Sequence, residues 1–282
     1  MRSPRTLLSL AAGLVAVATA VIVPVSQSGA VTPHYYVSLG DSLSRGYMPG
    51  AGDTNQGYAD VLYARLKLSD PSLQLVKLGC SGETTTTMIE GGKCTDRYPV
   101  GTSQLDVAEQ FLKDHHGQVT HLTIDIGAND VAGCAEGGSI DYTCVAQGTT
   151  TITANLQTIL DGITAADGKL PKSIGMNYYD PFLASWLGGT SGQLVAAASV
   201  TLLVAINAIE TLEYGEHGFR TADVATAFHT SDFGHKRFVA GYGTLPLNVA
   251  YICQYTYMCS QDNIHPTAQG YRIIANAFAA RL

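Results

Sequence analysis

Two rhythms of apolar and polar residues take turns along the chain. Tyr35 to Leu39 is a short apolar-aromatic run that ends in Gly40, and Leu73 to Leu78 is a second run of strand length. Leu122, Ile124 and Ile126 alternate with polar residues into Gly127, which predicts a third strand. Between these runs the period lengthens. Tyr58, Val61, Leu62 and Leu66 recur at helical spacing, as do Leu105, Ala108, Phe111 and Leu112. Ile152, Leu156, Ile159, Leu160 and Ile163 give a clear apolar stripe on a third helix. Ser173 to Tyr179 and Thr221 to Phe228 are the remaining strand candidates, with an apolar-rich helix over Leu194 to Ile209 between them. Tyr271, Ile274, Ala275 and Phe278 close the chain with an amphipathic helix, for which Thr267 is placed as N-cap.

Strand–helix alternation predicts an α/β domain: a parallel sheet covered on both faces and joined by right-handed crossovers. Reactive groups in such sheets gather at the carboxyl ends of the strands. Each sequence block with chemical potential follows one of the predicted strands or precedes the last helix.

The first thirty residues have a different character. Arg2 and Arg5 precede the apolar run Leu7 to Val23, Pro24 breaks it, and Ser28-Gly29-Ala30 offers small residues suited to signal peptidase. Residues 1–30 are therefore expected to be a secretory signal and residues 31–282 a single domain. A retained anchor is the competing reading, but a small-residue exit serves no purpose in an anchor. The Leu194 to Ile209 stretch is interrupted by Ser199, Thr201 and Asn207 and is too short to span, so it is expected to be a buried helix. Loss of the signal removes two positive charges and no acidic one, moving the formal balance from −7 to −9. Such a surface repels phosphate backbones and anionic lipid, so no nucleic-acid partner and no stable membrane insertion are expected. A monomer in the extracellular medium is the expectation.

The six cysteines are Cys80, Cys94, Cys134, Cys144, Cys253 and Cys259. They show no zinc-knuckle spacing, and an even number behind a secretory signal points to disulfides. Fifteen pairings are open, and grouping along the chain makes 80–94, 134–144 and 253–259 the simplest. The first would close a loop of about fifteen residues, worth on the order of 3 kcal/mol in the chain-entropy model.

Gly40-Asp41-Ser42-Leu43 follows the first strand, where glycine lets the backbone bend sharply and a serine can project from the turn. Ser81-Gly82-Glu83-Thr84 follows the second, and Gly127-Ala128-Asn129-Asp130 the third. Asp262-Asn263-Ile264-His265-Pro266 lies just before the last helix. Each alone is equally an ordinary turn or helix cap. A second Asp-x-x-His, at Asp232 and His235, shows how cheaply that spacing arises.

Taken in order, the four blocks resemble the GDSL family of SGNH hydrolases, over nearly the whole mature chain. The Ser-Gly-x-Thr segment and three disulfides look most like its secreted bacterial lipase and esterase branch. The resemblance implies a flavodoxin-like three-layer α/β/α domain with five parallel strands in order 2-1-3-4-5. It also implies Ser42, Gly82, Asn129 and His265 as the four signature residues. Ser42 would be the nucleophile and His265 its base, with Asp262 orienting the imidazole. The Ser42 and Gly82 N–H groups and the Asn129 amide would form the oxyanion hole. Asp41 and Asp130 are expected to brace turns. No metal or organic cofactor is required by this chemistry.

The expected substrate is a small-molecule or lipid ester. Carbohydrate O-deacetylase, thioesterase, phospholipase or acyltransferase action on the same site stays open, as does a non-catalytic binding domain on the same fold. A metal-dependent hydrolase has little support, since His115 and His116 are adjacent and no zinc-binding histidine motif occurs. Loops rich in glycine, alanine and tyrosine, such as Tyr242-Gly243 and Tyr251 to Tyr257, are expected to form an apolar to amphipathic cleft.

Overall fold

A computed structural model describes residue 1 and residues 32–135, 139–168 and 171–282. Apart from residue 1, the expected signal segment lies outside the described residues. Five parallel strands form the sheet: β1 (His34–Gly40), β2 (Leu73–Lys77), β3 (Val119–Asp125), β4 (Lys172–Met176) and β5 (Arg220–Ala222), in order 2-1-3-4-5.

The helices interleave with these strands. α1 (Ser42–Arg45) and α2 (Tyr58–Leu66) follow β1, and α3 (Thr85–Glu90) and α4 (Gln104–Asp114) follow β2. α5 (Ala128–Val131) and α6 (Tyr142–Asp167) follow β3, and α7 (Gly189–Glu216) follows β4. After β5 come α8 (Val224–Ala227), α9 (Leu247–Tyr255), α10 (Met258–Gln261) and α11 (Ala268–Ala279). A small antiparallel hairpin, β6 (Lys236–Val239) and β7 (Gly243–Pro246), precedes α9.

Apolar burial divides between the two sheet faces. Leu62 of α2 and Ile274 and Phe278 of α11 pack with Tyr36, Ile174 and Met176 on one side. Leu105 and Leu112 of α4 and Leu156, Ile159 and Ile163 of α6 pack with Val37, Leu122 and Ile124 on the other. These are the residues whose spacing sets the helices' apolar stripes. Thr267 caps α11 by accepting from the Gly270 N–H at 3.2 Å.

Two expectations are corrected. The strand over Thr221 to Phe228 is only three residues long, because Asp223 caps the short helix α8 by accepting from the Thr226 N–H. The helix over Leu194 to Ile209 extends to Gly189–Glu216 and is buried on one face only, with Leu194, Val204 and Leu212 exposed. With the preceding turn it is long and apolar enough to cross a bilayer by length and composition. Its Asn207, Glu210 and Glu213 are instead buried against the protein.

The three disulfides are Cys80–Cys94, Cys134–Cys144 and Cys253–Cys259, the neighbour pairing. Chain order reverses direction around β1: the crossover from β1 runs to β2 on one side, and β3 lies on the other. A crevice at the carboxyl ends of such strands is where open α/β sheets bind ligands.

Candidate active site

Ser42 sits at that crevice as the first residue of α1, directly after β1. The turn that presents it depends on Gly40, whose φ is +121°. A Cβ there would overlap the Asp125 carbonyl oxygen, so no other residue fits. The Gln104 side chain clamps the same glycine on both sides. Its Oε1 accepts the Gly40 N–H at 2.7 Å, and its Nε2 donates to the Gly40 carbonyl at 3.0 Å and to Glu83 Oε2 at 2.9 Å.

Asp41 and Asp130 brace turns. Asp41 Oδ1 accepts from the Leu43 N–H at 2.8 Å, capping α1. The Asp130 carboxylate accepts from the Thr85 N–H at 2.9 Å and the Thr85 hydroxyl at 2.6 Å, tying the β3 turn to the β2 turn. Asp125 at the end of β3 accepts from the Asp41 and Ser44 N–H groups, both at 3.2 Å, and from the Tyr58 hydroxyl. Burial raises the carboxyl pKa of Asp41 to about 6 and pushes that of Asp125 well up, with the neighbouring Asp41 charge adding to the latter.

His265 Nε2 lies 2.7 Å from Ser42 Oγ, across 223 residues of sequence. The loop that carries it is held by the Tyr179 hydroxyl, which donates to the Ile264 carbonyl at 2.6 Å, and by the Tyr257 N–H, which donates to the His265 carbonyl at 2.9 Å. The Tyr47 ring packs against the imidazole with centroids 4.5 Å apart.

The group that orients the imidazole is not Asp262. Asn263 Oδ1 lies 2.8 Å from His265 Nδ1 and also accepts the His265 backbone N–H at 3.2 Å. A carbonyl oxygen can only accept, so Nδ1 carries the ring proton and the Nε2 lone pair faces the serine hydroxyl. Asp262, at φ +49°, has an exposed side chain and makes no hydrogen bond to the histidine. Asp232 and His235 do form the contact expected of Asp262 and His265, at 2.8 Å, but on an exposed turn. Burial lowers the His265 pKa to about 4, and the neutral amide beside it brings no charge to oppose that effect.

Asn129 and Ser42 line one cavity together with His265. Asn129 Nδ2 donates one of its two hydrogens to the Glu83 carbonyl at 2.8 Å, leaving the second for a ligand. That bond anchors Asn129 to the turn that carries Gly82, whose φ is +83°. Among the described residues, neither the Ser42 nor the Gly82 backbone N–H donates to a protein acceptor.

The cavity extends from Ser42 between α5 and α7, past Val131, Leu202, Leu203 and Ile206. Its tyrosines are Tyr178 and Tyr179, after β4. The tyrosines expected there lie elsewhere: Tyr251 and Tyr255 pack on each other, and Arg237 of the hairpin covers the Tyr251 ring at 4.6 Å.

Sequence reasoning missed Gln104, Asp125, Tyr179, Glu210 and Asn263. Asn263 alone carried a readable signal, since asparagine two residues ahead of a backbone N–H is an Asx-turn pattern.

Several solved structures share the fold. An extracellular lipase from Streptomyces rimosus superposes with TM-score 0.56 at 21% identity, covering 88% of this chain and 100% of its own. Phospholipase A1 from Streptomyces albidoflavus gives TM-score 0.54 at 16% identity, over 89% and 100% of the two chains. An acetyl xylan esterase from Geobacillus stearothermophilus gives TM-score 0.50 at 16% identity, over 88% and 94%. No curated protein matches the sequence. The model of the GDSL-like lipase/acylhydrolase family matches residues 38–273, and the chain belongs to that family.

Proposed function

We propose that the protein is a secreted serine hydrolase that cleaves carboxylic esters through an acyl-enzyme on Ser42. The observation that carries this reading is the 2.7 Å contact between Ser42 Oγ and the unprotonated Nε2 of His265. His265 takes the serine proton as Oγ attacks the ester carbonyl, then delivers it to the departing alcohol. The Ser42 and Gly82 N–H groups and the spare Asn129 N–H receive the oxyanion. Water then enters, His265 takes its proton, and the acid product leaves with Ser42 restored.

The apolar walls favour an acyl chain over a sugar in the cavity. Lipase, phospholipase and acetyl xylan esterase relatives of the fold leave deacetylation, phospholipid cleavage and acyl transfer as alternatives within the same chemistry. Three disulfides favour an oxidising compartment and hence export. The acidic surface favours a monomer that engages no nucleic acid.

Intact mass after treatment with an organophosphate, with the modified peptide located, tests the class. A single adduct on Ser42 is expected. A protein that stays unmodified and hydrolyses no ester would end the proposal, as would adduct on a different serine.

A further inference from the structure

One buried group in the cavity has no use in that mechanism. Glu210 of α7 is 0% exposed, and neither carboxyl oxygen has a hydrogen-bond partner. Among the described residues, its oxygens are the only buried unpartnered side-chain polar atoms that belong to a residue lining this cavity. Away from the oxyanion donors, the polar side chains beside it have partners. Ser199 donates to Asp180 at 2.7 Å, Asp180 also accepts the Phe182 N–H at 2.9 Å, and the Tyr178 hydroxyl reaches Asp41 at 3.4 Å.

Glu210 ends a stripe on α7. Ser199, Leu202, Leu203, Ile206 and Glu210 line the cavity at helical spacing, so an acid follows the apolar run Leu202, Leu203 and Ile206. Its Oε1 packs close to Gly127, where a Cβ would lie 2.8 Å from it, at the root of the turn that carries Asn129. Burial raises its pKa well above the usual carboxylate range, which favours the neutral form, and a neutral carboxyl can both donate and accept. Buried polar groups are normally paired, and Glu210 stands in the wall of the cavity that also holds Ser42.

The cavity suits the acyl half of the substrate, which stays on the enzyme between the two steps, whereas the alcohol must leave before water enters. We propose that Glu210 is a specificity-determining residue that hydrogen-bonds an oxygen carried on the acyl group, a hydroxyl or a ketone, and thereby selects oxygenated acyl esters over plain ones of equal length. This rests on the ester-hydrolase reading above. A site built around a hydrogen bond discriminates strongly against the analogue that lacks it, because its own polar group is left unpaired.

The test compares 4-nitrophenyl hexanoate with the 3-hydroxyhexanoate, 5-oxohexanoate and 6-hydroxyhexanoate esters, on the wild-type enzyme and on Glu210→Gln and Glu210→Met. At least one oxygenated ester should exceed hexanoate in kcat/KM by about tenfold or more. Glu210→Gln should keep most of that preference. Glu210→Met should abolish it, bringing the ratio of oxygenated-ester to hexanoate kcat/KM to about one whatever its effect on hexanoate cleavage itself. Wild-type enzyme that cleaves hexanoate as well as all three others, or a preference unchanged in Glu210→Met, overturns the proposal. If Glu210→Met does not fold, the wild-type ranking decides alone. Failure to cleave any ester, 4-nitrophenyl acetate included, would sink the hydrolase reading instead, so the two failures are told apart.

Discussion

Asn263 Oδ1 stands 2.8 Å from His265 Nδ1, although a carboxylate, Asp262, lies one position earlier in the sequence. The amide fixes the tautomer that the reaction needs but adds no negative charge. In the proposed mechanism the imidazolium would therefore be stabilised by orientation and surroundings, without an ion pair.

A carboxylate at that position should change the pH response. In Asn263→Asp, a negative group beside the ring favours its protonated form, raising the histidine pKa by roughly 1–2 units. In wild type, with the His265 pKa at about 4, the base is free down to mildly acidic pH, and the acid limb of kcat/KM falls near that value. The variant's acid limb should move upward. A kcat/KM profile from pH 3.5 to 9 checks this, and an unmoved limb would deny Asn263 its place.

Removal of the amide should cost turnover without unfolding the protein. Asn263→Ala is expected to lose roughly tenfold or more in kcat. Asp262→Asn should remain near the wild-type rate, because its side chain is exposed and does not touch the histidine. Steady-state kinetics on one aryl ester separates the two.

The oxyanion donors make a second kinetic prediction. Asn129→Ala should lower kcat by roughly 10²–10³-fold with KM little changed. Ser42→Ala should lower it by roughly 10⁴-fold or more. Equal melting temperatures for wild type and Ser42→Ala would show that the loss is chemical.

The clamp on Gly40 makes a stability prediction. Gln104→Leu leaves the Gly40 N–H without its acceptor and Glu83 Oε2 without its donor, both buried. Each such loss costs about 1–3 kcal/mol. Denaturant unfolding should show a drop of that order. Gly40→Ala should be worse, since a methyl cannot coexist with the Asp125 carbonyl.

Periodicity revealed β1, β2, β3, α2, α4, α6 and α11 because each buries a regular apolar stripe, and that signal is local. α8 stayed hidden because four residues hold no full period, and Thr221-Ala222 beside Ala225 to Phe228 imitates a strand. The far end of α7 was hidden differently. Asn207, Glu210 and Glu213 look like a solvated face, yet they are buried where α7 packs on α6, β4 and β5. In the site, Ser42 and His265 were legible from their motifs. The choice between Asp262 and Asn263 was not, because it depends on one left-handed residue in the backbone.

Three of the four turns that bear a site residue, all but the one that carries Ser42, adjoin a covalent staple. Cys80 lies two residues before Gly82, Cys134 five after Asn129, and the Cys253–Cys259 link closes six residues before His265. The sheet itself contains none. Thiol reagents should thus act on the rim first: a reduced molecule could retain its strands and apolar interior while its oxyanion and histidine turns drift out of register. Expression where thiols stay reduced would yield material that passes tests of folding and fails as an enzyme.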